Sequence, residues 1–389
     1  MHIAYVSADR GVPVFGRKGS SVHVQEVIRA LRGRGASVTL LAARTGGDPS
    51  DDLREVPVVD LPRPASADRA ERESESFGSN PAVADALAGL DVCDAVYERY
   101  SLWSHAPMEW ARASGVAGVL EVNAPLIDED AMHRGLVDRE LAEQVARRAF
   151  DAATAILAVS GPVADWVASR TARPERIAVV PNGVDPSRFA PRPRFVAAPE
   201  TLTVGFVGTL KPWHGVHVLV EAMARLVPTT PELRLLIVGD GPCRGQLEDL
   251  VQARGLADVT TFTGAVDPAA IPAVLSQIDI GVAPYTDAAG CYFSPLKLYE
   301  YMAAGVAVVA SCAGQVSEVV RNGVTGLLCR PADAAALAGA LAELVAMPER
   351  RCALAVEARR VAVRHHTWDG VAASILARTG AVAMNGAAA

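Results

Sequence analysis

The sequence predicts an α/β fold in which parallel sheets are built from βαβ units in both halves of the chain. Short apolar runs of strand length alternate with helical stretches along both halves. The segment 279–311 has the order strand, loop, helix, strand, which is one complete βαβ unit. The length of 389 residues is enough for two or three domains, each with a core of its own.

Composition and charge exclude several classes of protein. Hydrophobic residues make up 50% of the chain and charged residues 21%, which is typical of a soluble globular protein. No apolar run reaches the length of a membrane-spanning helix, and the start MHIAYVSADR indicates a first strand rather than a signal peptide. The net charge of −7 argues against a nucleic-acid partner. The six cysteines lack the spacing of disulfides or metal sites, which favours a cytoplasmic location.

In the first half of the chain, strands are expected at the apolar runs 3–6, 38–42, 95–98, 118–122, 154–159 and 177–180. A helix is expected to begin near Ser20, and the segment 16–21 combines two glycines, two cations and two hydroxyls. Glycines allow close backbone approach and helix N-termini bind anions, so this turn is a candidate phosphate site. An ordinary βα turn is the alternative. The polar stretch 44–80 is interpreted as a solvated connection or a lid.

A long helix is expected over 131–149. The acidic run Asp128–Asp130 in front of it fits charges that complement a helix N-terminus. The run also resembles an Asp-x-Asp metal motif, but no cluster of His, Cys and carboxylates supports a metal, so none is predicted. Asn123 follows the strand at 118–122, at a sheet edge where ligands bind, and either contacts a ligand or satisfies a turn. The Pro- and Arg-rich run 191–199 predicts a linker.

The second half begins a new series of elements. Strands are expected at 203–207, 233–238, 260–263, 279–284 and 306–310. Helices are expected between Ser294 and Gly305, over 334–345, and from Trp368 onward.

The start of the helix after Ser294 has the composition of an anion site. Ser294 is a preferred N-cap, and Pro295 suits the first helical position. The backbone N–H groups of Leu296 and Lys297, with the Lys297 ammonium, would offer positive charge to a phosphate. Glu300 is six residues beyond Ser294, which corresponds to about 9 Å along the helix axis. Its carboxylate could accept hydrogen bonds from ribose hydroxyls there. An ordinary capped amphipathic helix is the alternative, and the acylase motif that Ser-x-x-Lys also matches lacks its companion motifs.

The stretch SPLKLYEYMAAG, residues 294–305, closely resembles the donor-site signature of retaining GT-B glycosyltransferases, specifically glycosyltransferase family 4. The family pattern is a Glu, seven residues, a second Glu, then Ala-small-Gly and an apolar strand. Glu300 and Gly305 match its second half, whereas Tyr292 stands where the family has its first Glu. The resemblance covers nearly the whole chain. It implies the GT-B fold, in which two Rossmann-like, doubly wound domains face an interdomain cleft.

The family resemblance also implies domain bounds. Residues 1–191 would form an N-terminal acceptor-binding domain and residues 192–367 a C-terminal domain that binds the nucleotide sugar. Residues 368–389 would form a helix that crosses back to the first domain.

Site residues are carried over from the family by position. Lys211 and Lys297 would neutralise the departing diphosphate with help from His214, and Thr209 stands where relatives have an Arg. The backbone of Val266 would read the nucleobase. The implied donor-binding residues are Gly19, Ser20, Thr209, His214, Gly239, Val266, Tyr292, Phe293, Ser294, Pro295 and Leu296, and the implied catalytic residues are Lys211, Lys297, Glu300 and Asn123.

The implied reaction is transfer of a hexose or N-acetylhexosamine, with retention of configuration, from a nucleotide diphosphate sugar to a hydroxyl. UDP is favoured over GDP, no metal or other cofactor is expected, and the acceptor is a small or lipid-linked molecule. Two alternatives are a non-catalytic sugar-nucleotide-binding relative and a sugar-nucleotide epimerase. Peripheral contact with a membrane, the oligomeric state and the acceptor are left open.

Overall fold

The computed structural model describes residues 1–190, 201–286, 292 and 294–386, with side chains described as far as residue 380. The chain divides into two compact units. The first contains Met1–Asn182, Tyr292–Ser294 and Trp368–Ala389, and the second contains Gly183–Cys291 and Pro295–Thr367. The linker predicted over 191–199 lies outside the described residues.

The first unit is built on a seven-stranded parallel sheet. Its strands are β1 (His2–Ser7), β2 (Ser37–Ala42), β3 (Val58–Asp60), β4 (Ala95–Arg99), β5 (Ala117–Val122), β6 (Ala155–Ala158) and β7 (Ile177–Val179). The order β3-β2-β1-β4-β5-β6-β7 reverses direction between β1 and β4, as in doubly wound folds. Most of these strands are buried along almost their whole length, because helices cover both faces of such a sheet.

Seven helices of the first unit precede the linker. They are α1 (Gly19–Gly33), α2 (Arg69–Gly78), α3 (Asn80–Ala88), α4 (Ala106–Ser114), α5 (Leu126–His133), α6 (Arg139–Ala152) and α7 (Gly161–Ala168). In α1 the buried residues Val24, Val27, Ile28 and Leu31 follow helical spacing and form one apolar stripe.

The polar stretch 44–80, interpreted as a solvated connection or a lid, is mostly exposed, but it also contains β3 and all of α2. Asp68 caps α2 by accepting a hydrogen bond from the Glu71 N–H. Glu73 is 4% exposed and accepts hydrogen bonds from the N–H groups of Val137, at 3.1 Å, and Asp138, at 3.0 Å. Val137 and Asp138 are more than 60 residues away from Glu73 in the sequence. The composition of the stretch alone therefore cannot predict that Glu73 is buried.

The single helix predicted over 131–149 is also wrong, because the structure has two helices, α5 and α6, there. Gly135 lies between them with φ of 74°, a conformation that favours glycine. Asp128 lies in the first turn of α5, as the helix-dipole interpretation predicts. Asp130 is buried and paired with Arg69 and, at 2.9 Å, with Arg134, so its charge is neutralised within the protein.

The second unit repeats the architecture with a six-stranded parallel sheet. Its strands are β8 (Leu202–Val207), β9 (Leu233–Val238), β10 (Thr260–Gly264), β11 (Ile280–Ala283), β12 (Ala307–Ser311) and β13 (Leu327–Cys329). Their order is β10-β9-β8-β11-β12-β13, so the direction reverses between β8 and β11. The doubly wound α/β prediction is therefore confirmed for both units.

The remaining helices complete the second unit and end the chain. They are α8 (Val216–Leu226), α9 (Arg244–Ala253), α10 (Ile271–Leu275), α11 (Leu296–Ala303), α12 (Val316–Val319), α13 (Ala334–Ala346), α14 (Pro348–His365) and α15 (Trp368–Gly386). The last of these, α15, belongs to the first unit, where it packs against α1 and β5. Within the described residues, no helix is both long enough and apolar enough to cross a membrane.

Candidate functional site

The candidate site of the second unit lies at the carboxyl ends of β8, β9 and β11. Open parallel sheets bind ligands at this edge, where the strand order reverses. Two turns and one helix start meet here: residues 208–215 after β8, residues 239–241 after β9, and the first turn of α11.

Glycines let the two turns pack backbone against backbone. Gly208 donates its N–H to the Val238 carbonyl at 2.9 Å. A Cβ atom on Gly239, whose φ is 129°, would lie only 2.0 Å from the Gly208 carbonyl oxygen. A Cβ on Gly208 would lie 2.9 Å from Lys297 Nζ. Glycine is required at both positions. The short distance to Gly208 also shows that the Lys297 amine lies directly over the first turn.

Lys297 carries a buried amine without a hydrogen-bonding partner among the described residues. It lies in the first turn of α11 and is 9% exposed. Its Nζ is 4.0 Å from the ring centroid of Phe206 and 5.3 Å from that of Tyr285. Burial lowers the pKa of Lys297 to about 7, although the charge of Glu300 acts in the opposite direction. A buried cation of this kind is stabilised when an anion binds beside it.

The start of α11 differs from its prediction by one residue. Pro295 occupies the N-cap position, the helix begins at Leu296, and no side chain of the described residues caps it. The predicted cap, Ser294, instead accepts a hydrogen bond through its Oγ from the Asn182 N–H at 3.0 Å, within the first unit. Glu300 follows Lys297 by one helical turn and is half-buried.

His214 and Lys211 lie in the turn after β8. The His214 Nδ1 hydrogen-bonds to the Thr209 carbonyl oxygen, and its ring lies 6.0 Å from Phe206 and 5.8 Å from Tyr285. Burial, with the positive charges of Lys297 and Lys211, lowers the pKa of His214 to about 3. The imidazole is therefore neutral at pH 7, with its one proton directed to Thr209. Thr209 itself is exposed, and only its backbone carbonyl takes part in the hydrogen bond with His214.

The remaining predicted donor residues of the second unit occupy neighbouring turns. Gly239 donates its N–H to the Gly264 carbonyl at 2.9 Å, which ties the end of β9 to that of β10. Val266 lies two residues beyond β10 and is half-buried. Phe293 lies outside the described residues.

In the first unit, the predicted residues lie at the carboxyl ends of β1 and β5. Gly19 is the first residue of α1, and the half-buried Ser20 follows it. Asn123 comes directly after β5, and both polar atoms of its amide are buried without a partner in the described part of the chain. A buried amide in this condition is a candidate for ligand contact.

One pair near Asn123 was not predicted. His23 Nε2 lies 3.1 Å from Glu121 Oε1, and both side chains are 4% exposed. Burial acts to raise the pKa of Glu121, but the adjacent His23 and Arg99 charges lower it overall. The His23 ring also makes an edge-on contact with Trp368, at 5.2 Å between centroids. The two residues are 98 positions apart in the sequence, so no local sequence pattern predicts their contact.

Tyr292, which replaces the first Glu of the family pattern, belongs to the first unit. Its hydroxyl donates to Glu129 Oε2 at 3.1 Å, and its carbonyl accepts a hydrogen bond from the Ser160 hydroxyl. The role of Tyr292 in donor binding stays a prediction.

A simple count would have strengthened the site prediction. The chain has 37 Lys and Arg residues, of which only Lys18, Lys211 and Lys297 are lysines. All three lie in segments for which the residues or the family resemblance predict contact with phosphate. Lysine adjusts its pKa to its surroundings far more readily than arginine, which fits a role in binding and releasing an anion. Among the described residues, no three side chains of the metal-ligating types gather.

Comparisons with known proteins identify related sequences. The family model described as Glycosyltransferase Family 4 matches residues 17–188, and that described as Glycosyl transferases group 1 matches residues 201–347. The D-inositol 3-phosphate glycosyltransferase of Stackebrandtia nassauensis is 35% identical over 225 residues, which is 54% of this chain and 49% of that protein. The match thus spans about half of that relative. The glycogen synthase of Mycobacterium tuberculosis is 28% identical over 402 residues, covering 96% of this chain and 92% of that protein.

A solved structure with the same fold is HepE from Anabaena, which was crystallised in complex with UDP. The TM-score is 0.73 at 20% identity, and the match covers 98% of this chain and 100% of HepE. At this identity the likeness shows the fold alone, which is the predicted GT-B fold.

Proposed function

Because the chain belongs to the group 1 glycosyltransferases of family 4, we propose that it transfers a glycosyl group from a nucleotide diphosphate sugar to an acceptor hydroxyl. The observation that carries this proposal is the buried amine of Lys297 at the switch point of the second sheet, which has no hydrogen-bonding partner in the described part of the chain. The diphosphate of a sugar nucleotide supplies the anion that such an amine requires.

Electrostatic stabilisation of the departing diphosphate would be the main catalytic contribution. Lys297 and Lys211 provide full charges, and the start of α11 adds its backbone N–H groups and helix dipole. His214 contributes shape rather than charge, because it is neutral and its Nδ1 proton is directed to the Thr209 carbonyl. Glu300, one turn further along α11, would bind the ribose hydroxyls.

The finer features of the reaction belong to the same proposal. Two lysines and a helix start supply the positive charge that a metal ion provides in other transferases, so we propose transfer without a metal. Family membership supports retention of configuration and a hexose or N-acetylhexosamine as the transferred sugar. UDP stays the expected carrier, with GDP as the alternative.

The acceptor is proposed to be a small hydroxyl-rich molecule. The name of the Stackebrandtia relative makes an inositol phosphate the first acceptor to test. The amide of Asn123 in the first unit has no partner among the residues that the structure describes, and it is proposed to bind an acceptor or sugar hydroxyl.

The experiment combines binding and turnover. UDP-glucose, UDP-N-acetylglucosamine and GDP-mannose are titrated calorimetrically, and products with an inositol phosphate panel are measured by mass spectrometry with assignment of the anomer by NMR. Lys297→Met is expected to weaken donor binding at pH 7 by at least about ten-fold. Arg360→Met, which removes an exposed cation paired with Glu357 on α14, is the control and should bind like the wild type.

Three results would contradict parts of the proposal. Donor binding unaffected by Lys297→Met would remove the site assignment. Donor binding without transfer to any acceptor would favour a non-catalytic relative. Release of free nucleotide without an acceptor, together with an altered sugar, would favour an epimerase.

A further inference from the structure

Arg244 lies beside the segment that is proposed to read the nucleobase, and it is not among the residues that the family resemblance implies. It is the first residue of α9, and its guanidinium lies 5.9 Å from the ring centroid of Phe262. A Cβ atom on Gly264 would lie 3.2 Å from Arg244 Nη1, so the guanidinium lies close against the Gly264 backbone. The Arg244 side chain remains 33% exposed.

The helix dipole does not explain a cation at this position. The start of a helix carries a partial positive charge, which disfavours Arg in the first turn. The first turn of α9 has no acidic residue, and Cys243 at its N-cap position provides no side-chain cap. Arg254, at the other end of α9, shows the favourable arrangement, since it follows the helix and pairs with Glu221 at 2.7 Å.

Two carboxylates orient the Arg244 guanidinium while leaving part of it free. Glu248 Oε1 accepts from Nε at 2.8 Å, one turn along α9. Asp240 Oδ2 lies 3.7 Å from Nη1, beyond the range of a direct hydrogen bond. The side chain is therefore held in place with N–H groups to spare, since a guanidinium has five.

The backbone next to Arg244 is irregular and has a free hydrogen-bonding edge. The pairing of β10 with β9 shifts register between Phe262 and Gly264, and Gly264 has φ of 72°. Such irregularities often lie beside functional sites because they redirect the chain. Two residues later, the N–H and C=O groups of Val266 form no hydrogen bond with any part of the chain that the structure describes. The guanidinium lies against Gly264, two residues before this peptide edge.

We infer that Arg244 is a specificity-determining residue that donates a hydrogen bond to a carbonyl oxygen of the nucleobase. This inference rests on the proposed function. A guanidinium only donates hydrogen bonds. Uracil O4 and guanine O6 accept them, whereas cytosine and adenine carry an amino group at the corresponding position, which would oppose it. Arg244 thus selects nucleotides with a carbonyl at that position of the base.

The test compares pairs of nucleoside diphosphates that differ at this position. UDP, CDP, GDP and ADP are titrated calorimetrically into the full chain, into Arg244→Met and into Arg254→Met. The wild type is expected to bind UDP or GDP at least about ten-fold more tightly than CDP or ADP, respectively. In Arg244→Met, which keeps an unbranched side chain beside Phe262, this preference should fall to within about two-fold while CDP and ADP bind as before. Whichever of UDP and GDP the wild type binds more tightly identifies the nucleobase of the donor.

Arg254→Met is the matched control, because it removes an arginine paired with a glutamate from the same helix region. It should reproduce the wild-type affinities for all four nucleotides. If Arg244→Met loses affinity equally for all four nucleotides, Arg244 has a structural role and the inference is overturned. Equal affinity of the wild type for UDP and CDP, and for GDP and ADP, would also overturn it. Failure of the wild type to bind any of the four would overturn the proposed function together with this inference.

Discussion

Lys297 is expected to make donor binding depend strongly on pH above neutrality. The buried amine has a pKa of about 7 in the free protein, against 10.5 for an ordinary lysine. A bound diphosphate favours the ammonium form and so raises the pKa again. Binding must then take up the proton that the free protein has lost. Affinity is therefore greatest below pH 7 and falls as the pH rises through and beyond the pKa of the free protein.

The size of the effect follows from the pKa of about 7 in the free protein. If Lys297 stays protonated in the complex, affinity falls about ten-fold, or about 1.4 kcal/mol, for each pH unit well above 7. At pH 7 Lys297 is protonated in only half of the free protein molecules, so the loss of affinity between pH 7 and pH 9 is roughly fifty-fold. His214 does not contribute, because with a pKa of about 3 it is neutral throughout this range.

The assay is isothermal titration of a nucleotide sugar without an acceptor at pH 6, 7, 8 and 9. A nucleotide sugar is preferable to the free diphosphate, because a terminal phosphate itself titrates near pH 6. Buffers with different ionisation enthalpies report proton uptake, which should be about half a proton at pH 7 and close to one at pH 9.

Two substitutions isolate the amine. Lys297→Met should bind weakly with little dependence on pH, and Lys297→Arg should remain charged and lose the steep decline. Glu98 is buried in the first unit with a pKa raised to about 8, so Glu98→Gln serves as a control for titration elsewhere in the chain. Wild-type affinity that stays constant between pH 7 and pH 9 would refute this account of Lys297.

Three further predictions test other positions. Glu300→Ala should lower kcat/KM for the donor by about 100-fold, since two hydrogen bonds to a carboxylate are lost, and unchanged kinetics would end the ribose assignment. Gly239→Ala should lower the free energy of unfolding in urea by about 2 kcal/mol or more, because its Cβ meets the Gly208 carbonyl, whereas Gly245→Ala meets no atom within 4 Å and should not. Burial raises the pKa of Glu98 to about 8, so the folded protein holds this proton longer than the unfolded chain and loses stability as the pH rises from about 4.5 to about 8. Scanning calorimetry should show a smaller fall in Tm over this range for Glu98→Gln, and equal falls in both proteins would contradict the prediction.

The sheets were predictable because their strands are buried on both faces. The predicted strand 203–207 differs by one residue from β8 (Leu202–Val207), and 233–238 has the bounds of β9 (Leu233–Val238). Continuous apolar runs between turn residues have few other ways to fold. The polar helix α2 was missed because Glu73 is satisfied by Val137 and Asp138, which lie beyond any local window.

The candidate site was predictable in its residue types but not in their environments. The helix start with Lys297 could be read from the Ser-Pro signal and the family pattern. Its burial could not, because Phe206 and Tyr285 reach it from β8 and from the chain after β11. The lowered pKa of His214 likewise depends on its burial and on two lysines that folding brings near it. Electrostatic surroundings are a tertiary property, and a linear motif carries little information about them.

The scarcity of lysine makes the protonation of Lys297 directly observable by spectroscopy. A protein prepared with isotope-labelled lysine carries only three labelled side chains, at positions 18, 211 and 297. Their carbon and nitrogen resonances can be assigned by removing one lysine at a time, without any labelling of the 34 arginines (37 − 3). One resonance should change near pH 7 in the free enzyme and stop doing so when the nucleotide sugar is added, which follows the chemistry at a single atom in a chain of 389 residues.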